Sequence, residues 1–117
     1  MAETSSRDLK ADKAVVALCT CGSTQEAEKL ARGLVAKRLA ACVNVLPSIR
    51  SIYRWREEIH ADAEVLMIIK TSRSCSDAAQ AWLQEHHSYE VPEFLVLPVK
   101  QGSPEYLDWL LQETGRE

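Results

Sequence analysis

Along the chain, unbroken apolar runs alternate with stretches where apolar side chains recur every three or four residues. A continuous run bounded by turn residues suits a buried strand, and the three-to-four spacing suits one side of a helix. "KAVVALCT" is the first such run and predicts a central strand. It stops at "CGST", where Ser23 and Glu26 fit a capping box. In that motif the serine oxygen takes one free helix amide and the glutamate reaches back to another. Ala27, Leu30, Ala31, Leu34 and Val35 then mark one side of a helix.

"CVNVLPSIRSIYRW" reads as a long strand interrupted near Pro47. Proline has no N–H for the ladder, so this strand belongs at a sheet edge and should carry a bulge. "EVLMIIKT" is a second buried strand. Ser74 and Asp77 open a helix that places Ala79, Trp82 and Leu83 on one face, and "EFLVLPV" gives a fourth strand. In "GSPEYLDWLLQE", Ser103 serves as N-cap, Pro104 as the first helical residue and Glu105 as a first-turn acid. Tyr106, Leu107, Leu110 and Leu111 of that helix are expected to pack onto the domain.

The order β-α-β-β-α-β with a terminal helix predicts an α+β, ferredoxin-like sandwich. Residues 1–12 read as a polar, frayed tail and residues 13–117 as one domain. The two middle strands, from about Cys42 to Thr71, are roughly twice as long as the others, so their hairpin must project beyond the sheet. Two unsupported strands are marginal in water. Ile52, Tyr53 and Trp55 lie near the tip, and a second copy of the chain is the expected cover.

Composition narrows the function. A 46% hydrophobic content supports a real core, and a net charge of −3 argues against general nucleic-acid binding. No apolar run approaches the ~20 residues of a membrane span. Four cysteines behind an N-terminus without a secretory core fit a reducing compartment, and a cytoplasmic location is the expectation. No serine-histidine-acid spacing, phosphate loop or nucleophile elbow is present, so the chain is expected not to be an enzyme.

The predicted topology also places candidate chemistry. Right-handed crossovers make the first and second strands parallel, with the third and fourth antiparallel to them. The end of the first strand then shares an edge with the end of the second helix. Cys19 should lie near His86 and His87, while Cys42 and Cys75 fall at the opposite edge. Thiolate with imidazole suits copper or zinc. Adjacent helical histidines diverge by about 100°, so they chelate one ion only if the helix ends between them. The competing reading is structural: His86 and His87 stand seven and eight residues after Ala79 and could complete its packed face or cap the helix dipole. "CTC" lacks the C-x-x-C redox spacing, although a helix N-terminus beside Cys21 could activate that thiol. Lys70, Tyr89 and Glu93 join either a polar pocket with the histidines or the surface.

"LAACVNVLP", "SIYRW", "EVLMIIKT", "YEVPEFLVLPV" and "YLDWL" together resemble the CutA family of divalent-cation tolerance proteins. The resemblance runs from about Val15 to Leu111. It implies a ferredoxin-like homotrimer, usually cytoplasmic in bacteria, whose hairpins wrap neighbouring subunits. It further implies binding of copper or another divalent cation, with Cys19, His86 and His87 at the metal-associated positions, and it turns the balance from a structural cap to metal association. The architecture is similar to that of PII signalling trimers. The alternative function is therefore a signalling or scaffold trimer taking a small ligand or protein between subunits. Ser88 stands where many relatives have proline, and Glu57 where the hairpin tip commonly carries glycine.

Overall fold

The computed structural model describes residues 12–115; the tail expected at residues 1–12 lies outside them except for Asp12. Seven elements follow in the anticipated order: β1 (Ala14–Cys21), α1 (Thr24–Ala36), β2 (Cys42–Trp55), β3 (Glu58–Ser72), α2 (Arg73–His86), β4 (Leu95–Pro98) and α3 (Pro104–Gln112). The strands form one antiparallel sheet in the order β2-β3-β1-β4, so β1 and β2 run the same way.

The strand alternation decides where the core lies. Ala17, Cys19 and Cys21 of β1 and Val65, Met67 and Ile69 of β3 point to one face, where α1 and α2 cover them. Ala27, Leu30 and Leu34 of α1 and Ala79 and Leu83 of α2 complete that core. Val35, expected on the same helical side, is instead exposed. It lies about 100° round the helix from Leu34, beyond the sheet's reach. A smaller core under α3 joins Ala14, Ala41 and Leu110 to Val99, Leu107 and Leu111. Tyr106 does not pack there; it stays exposed, with its ring 5.4 Å from that of Trp109.

The proline in β2 acts as anticipated. The strand lies at the sheet edge, and its register slips between Leu46 and Ile49, with Ser48 at φ 66°. The slip is one residue against β3, so it exchanges which β2 side chains face the helices. Beyond it the hairpin continues to a two-residue turn at Arg56 and Glu57, both at positive φ (52° and 69°). That pair of signs is the type I′ geometry matching strand twist. The ribbon stretches the molecule to 54 × 27 × 23 Å.

The helix starts differ from the sequence expectation in instructive ways. Ser23 Oγ does accept the Glu26 amide at 3.1 Å, as a cap should. Helix α2 begins at Arg73, ahead of the expected Ser74–Asp77 box, with Ser72 at the N-cap making no side-chain cap bond. Asp12 supplies the missing acceptor: its carboxylate takes the Ser74 amide at 3.3 Å and the Ser74 hydroxyl at 2.7 Å. A cap delivered from 62 residues away leaves no local spacing signal.

Candidate functional site

The C-terminal end of β1, the start of α1 and the segment after α2 meet at one rim of the sheet. Helix α2 ends between the two histidines: His86 is its last residue, while His87 turns extended at φ −77°, ψ 146°. The helix break that shared chelation requires is present, yet the two rings part company instead of turning to one point.

His87 turns inward. Its Nε2 lies 2.8 Å from the Thr20 carbonyl oxygen, and its Nδ1 accepts the Tyr89 amide at 3.0 Å. A carbonyl only accepts and an amide N–H only donates, so Nε2 carries the hydrogen and the Nδ1 lone pair is occupied. The ring is buried and tilts against that of Tyr89, with centroids 4.7 Å apart. His87 thus pins the α2–β4 segment onto β1.

His86 turns outward. Its Nδ1 donates to the Trp82 carbonyl at 2.8 Å, one helical turn back, and its ring stacks on the Trp82 indole at 4.2 Å. Nε2 makes no hydrogen bond among the described residues and faces solvent. The indole Nε1 of Trp82, by contrast, is buried and has no hydrogen-bond partner among the described residues.

Cys19 belongs to the buried core at the same rim, next in sequence to the carbonyl that His87 holds. Its thiol donates to the Thr20 carbonyl at 3.8 Å; the neighbouring Cys21 side chain and full burial push its pKa far above the usual thiol range, and Glu93 and Glu26 add to the rise. The sulfur therefore keeps its proton. Cys42 and Cys75 lie away from the rim, as the topology predicts: Cys42 pairs with Lys70, and Cys75 Sγ reaches the Arg38 carbonyl at 4.0 Å. All four cysteines are free thiols.

The rim holds polar residues that the sequence reading did not connect. Glu26 does not close its capping box. Its carboxylate receives the Ser88 amide at 2.8 Å and the Ser88 hydroxyl at 2.9 Å. Burial pushes the Glu26 carboxyl up, but the two Ser88 hydrogen bonds, joined by the neighbouring His87 and the Gly22 amide, outweigh it and hold the group below its ordinary value. Tyr89 donates to Glu64 on β3 at 2.6 Å; burial first, and that bond second, raise the phenol. Glu93 is raised by desolvation and then by the charge of Glu64. Tyr89 and Glu93 accordingly join the rim. Lys70 does not, because it pairs opposite Val16 near the other end of β1. A capping-box glutamate facing Ser88, 62 residues on, carried no signal readable from spacing.

As a cation site the expected trio presents one open donor. Cys19 keeps a buried proton, both His87 nitrogens are engaged, and His86 Nε2 is exposed. Among the described residues no three His, Cys, Asp or Glu side chains gather around one point. The trio does not, as arranged in one subunit, fit the closed coordination of a resident metal.

Known proteins share this architecture. The family described as CutA1 divalent ion tolerance protein matches residues 15–113. Protein CutA of Mus musculus is 49% identical over 98 residues, which cover 84% of this chain and 55% of the mouse protein. The chain thus spans about half the length of that relative. The solved divalent cation tolerance protein Cut A1 of Thermus thermophilus superposes with a TM-score of 0.86 at 42% identity, over 87% of this chain and 99% of that one. CutA1 of Oryza sativa gives 0.86 at 38% identity, over 90% and 96%.

Proposed function

The chain belongs to the CutA1 family of divalent-ion tolerance proteins, and from that premise we propose that it is a non-enzymatic, homotrimeric protein that binds copper or a related divalent cation in the cytoplasm. What supports the cation reading is the family match, and the rim at the end of β1 adds one open donor to it, the exposed His86 imidazole, with His87 and Cys19 buried at the same rim. Imidazole nitrogen and sulfur are the donors that copper selects. His86 is the open donor of the set, and Cys19 and His87 are the buried ones.

Self-association is supported by the uncovered face of the sheet. Both α1 and α2 pack on one side, and the other side shows Leu46, Leu95 and Leu97, each between 40% and 56% exposed. Large apolar side chains left exposed at both edges of that face, beyond the end that α3 covers, mark it as an interaction surface.

Copper titration of the metal-free protein with a competing chelator tests the cation reading. Wild type should bind, and His86→Ala should weaken binding by about 10- to 100-fold, the usual effect of losing a metal-site residue. Cys19→Ser and His87→Ala then report whether the buried donors take part. Equal affinity in wild type and all three variants would remove the rim as the site, and absence of binding would remove the cation reading itself.

A further inference from the structure

At the end of the sheet opposite the histidines, three cations from three separate segments border a cleft of about 700 Å³. Backbone hydrogen bonds hold those segments together. The Arg73 amide donates to the Lys13 carbonyl at 2.7 Å, and the Val99 amide donates to the Ala14 carbonyl at 3.3 Å. Lys13, Arg73 and Lys100 are thereby fixed around one concavity before any ligand arrives. All three are exposed, and none forms an ion pair among the described residues.

Like charges gathered this way repel unless something neutralises them. Among the described residues Asp77 is the one acid on the cleft wall, and Asp12, next to Lys13 in the chain, is already tied to Ser74. Among the described residues positive charge is therefore in excess here, although the whole chain carries −3. The start of α2 adds little, since Asp12 occupies its Ser74 amide. Val15 and Pro98, paired across β1 and β4, give the cleft an apolar wall. Its volume falls in the range of about 300–1,000 Å³ typical of small-molecule sites.

We propose that this cleft binds a small organic polyanion, a molecule with two or more phosphate or carboxylate groups and a short apolar body. The anionic groups meet Lys13, Arg73 and Lys100, and the body lies along Val15 and Pro98. Arg73 gives a planar fork for a bidentate contact, and the lysines act as point charges. Val15 shares its sheet face with Ala17 and Cys19, so the cleft opens on the helix side. Self-association through the opposite face leaves it accessible. Nothing in this site depends on the cation reading.

Calorimetric titration of the full chain, free of metal, with pyrophosphate and with citrate tests the proposal. At least one probe should bind with a Kd between about 10 μM and 1 mM. The double variant Arg73→Gln/Lys100→Gln should weaken it by at least about 10-fold. Lys29→Gln/Arg32→Gln on α1 removes the same charge elsewhere and should change affinity by less than about 2-fold. Binding of pyrophosphate alone assigns phosphate chemistry, and binding of citrate alone assigns carboxylate chemistry. Equal weakening in both double variants would reduce the effect to general electrostatics and overturn the site. So would no detectable binding of either probe at about 10 mM. All four substitutions are at exposed positions, and an unchanged thermal midpoint confirms that the fold is intact.

Discussion

The two adjacent histidines do opposite work, and their substitution should separate stability from surface chemistry. His87→Ala strips the Thr20 carbonyl and the Tyr89 amide of their shared partner and leaves a hole in a buried place. The expected cost is about 2–4 kcal/mol in urea unfolding, from lost hydrogen bonds and packing together. His86→Ala loses an exposed stack on Trp82 and should cost less than about 1 kcal/mol. Comparable costs for the two would contradict the inward and outward assignment. Sequence alone left these residues as a ligand pair or a cap, because the break in α2 between them is set by tertiary bonds to β1. The same holds for Ser88. Read as a departure from proline, it in fact supplies an N–H that proline lacks, and Glu26 takes it.

The rim carboxylates give a pH signature with two signs. Glu26 sits below its ordinary value of 4.5 in the folded protein, so its contribution is complete above that value and fades as pH falls through the lowered one. Glu93 sits above its ordinary value of 4.5, so the folded state binds its proton more tightly. Its charge costs stability near neutral pH, and the cost disappears as pH falls through the raised value towards 4.5 and below. Glu93→Gln should therefore stabilise the protein at pH 7 and lose that advantage in acid. Glu26→Gln should destabilise at pH 7, with the deficit shrinking in acid. Chemical unfolding of both variants across pH 3–7 checks the pair; a Glu26→Gln deficit that grows on acidification contradicts the assignment.

At the scale of elements, the periodic positions were legible and the points of contact between elements were not. Ala27, Leu30, Leu34, Ala79 and Leu83 were all readable as core, because a helix on a sheet buries what its spacing puts on one side. The contact between α1 and α2 was invisible. Gly33 lies against the Trp82 indole so closely that an added Cβ would overlap Cζ2 and Cη2. Helix propensity alone favours Gly33→Ala by about 1 kcal/mol. The overlap should reverse that sign and leave a net loss of about 1–2 kcal/mol, with the His86–Trp82 stack disturbed. Trp82 fluorescence and the urea midpoint report both effects, and a gain in stability would show that the helices part freely. The hairpin tip gives the opposite case. Glu57 holds a left-handed φ of 69° in a turn that prefers Asn-Gly. Glu57→Gly should stabilise by about 0.5–1 kcal/mol, and a fall in thermal midpoint would exclude backbone strain there.

For the whole molecule, the projecting ribbon offers two contrasting faces to the self-association proposed above. One ribbon face carries Arg50, Ile52 and Arg54 opposite Ala63, Ala61 and Ile59. The other carries Ser51, Tyr53 and Trp55 opposite Asp62, His60 and Glu58. The first is apolar and basic, and the second is aromatic and acidic. Pairing two copies through the same face would set like charges together, whereas basic face on acidic face satisfies both. That is a heterologous contact, which builds a ring where the rotation closes and an open filament where it does not, and never a two-fold dimer. The charge alternation was present in the sequence all along, but the bulge after Leu46 had to be located before any β2 residue could be assigned a face. Ile52 and Ile59 are 72% and 69% exposed in the single chain, far more than a stable monomer leaves bare at neighbouring positions. With the proposed trimer as the closed form, Ile52→Asp/Ile59→Asp, which puts acids on the basic face's apolar centre, is expected to convert an assembly of three times 13.1 kDa to single chains. Light scattering after size exclusion measures this directly. An even-numbered wild-type mass, or a variant that stays assembled, would show that copies meet through another surface and that the ribbon's two-sided charge has a different use.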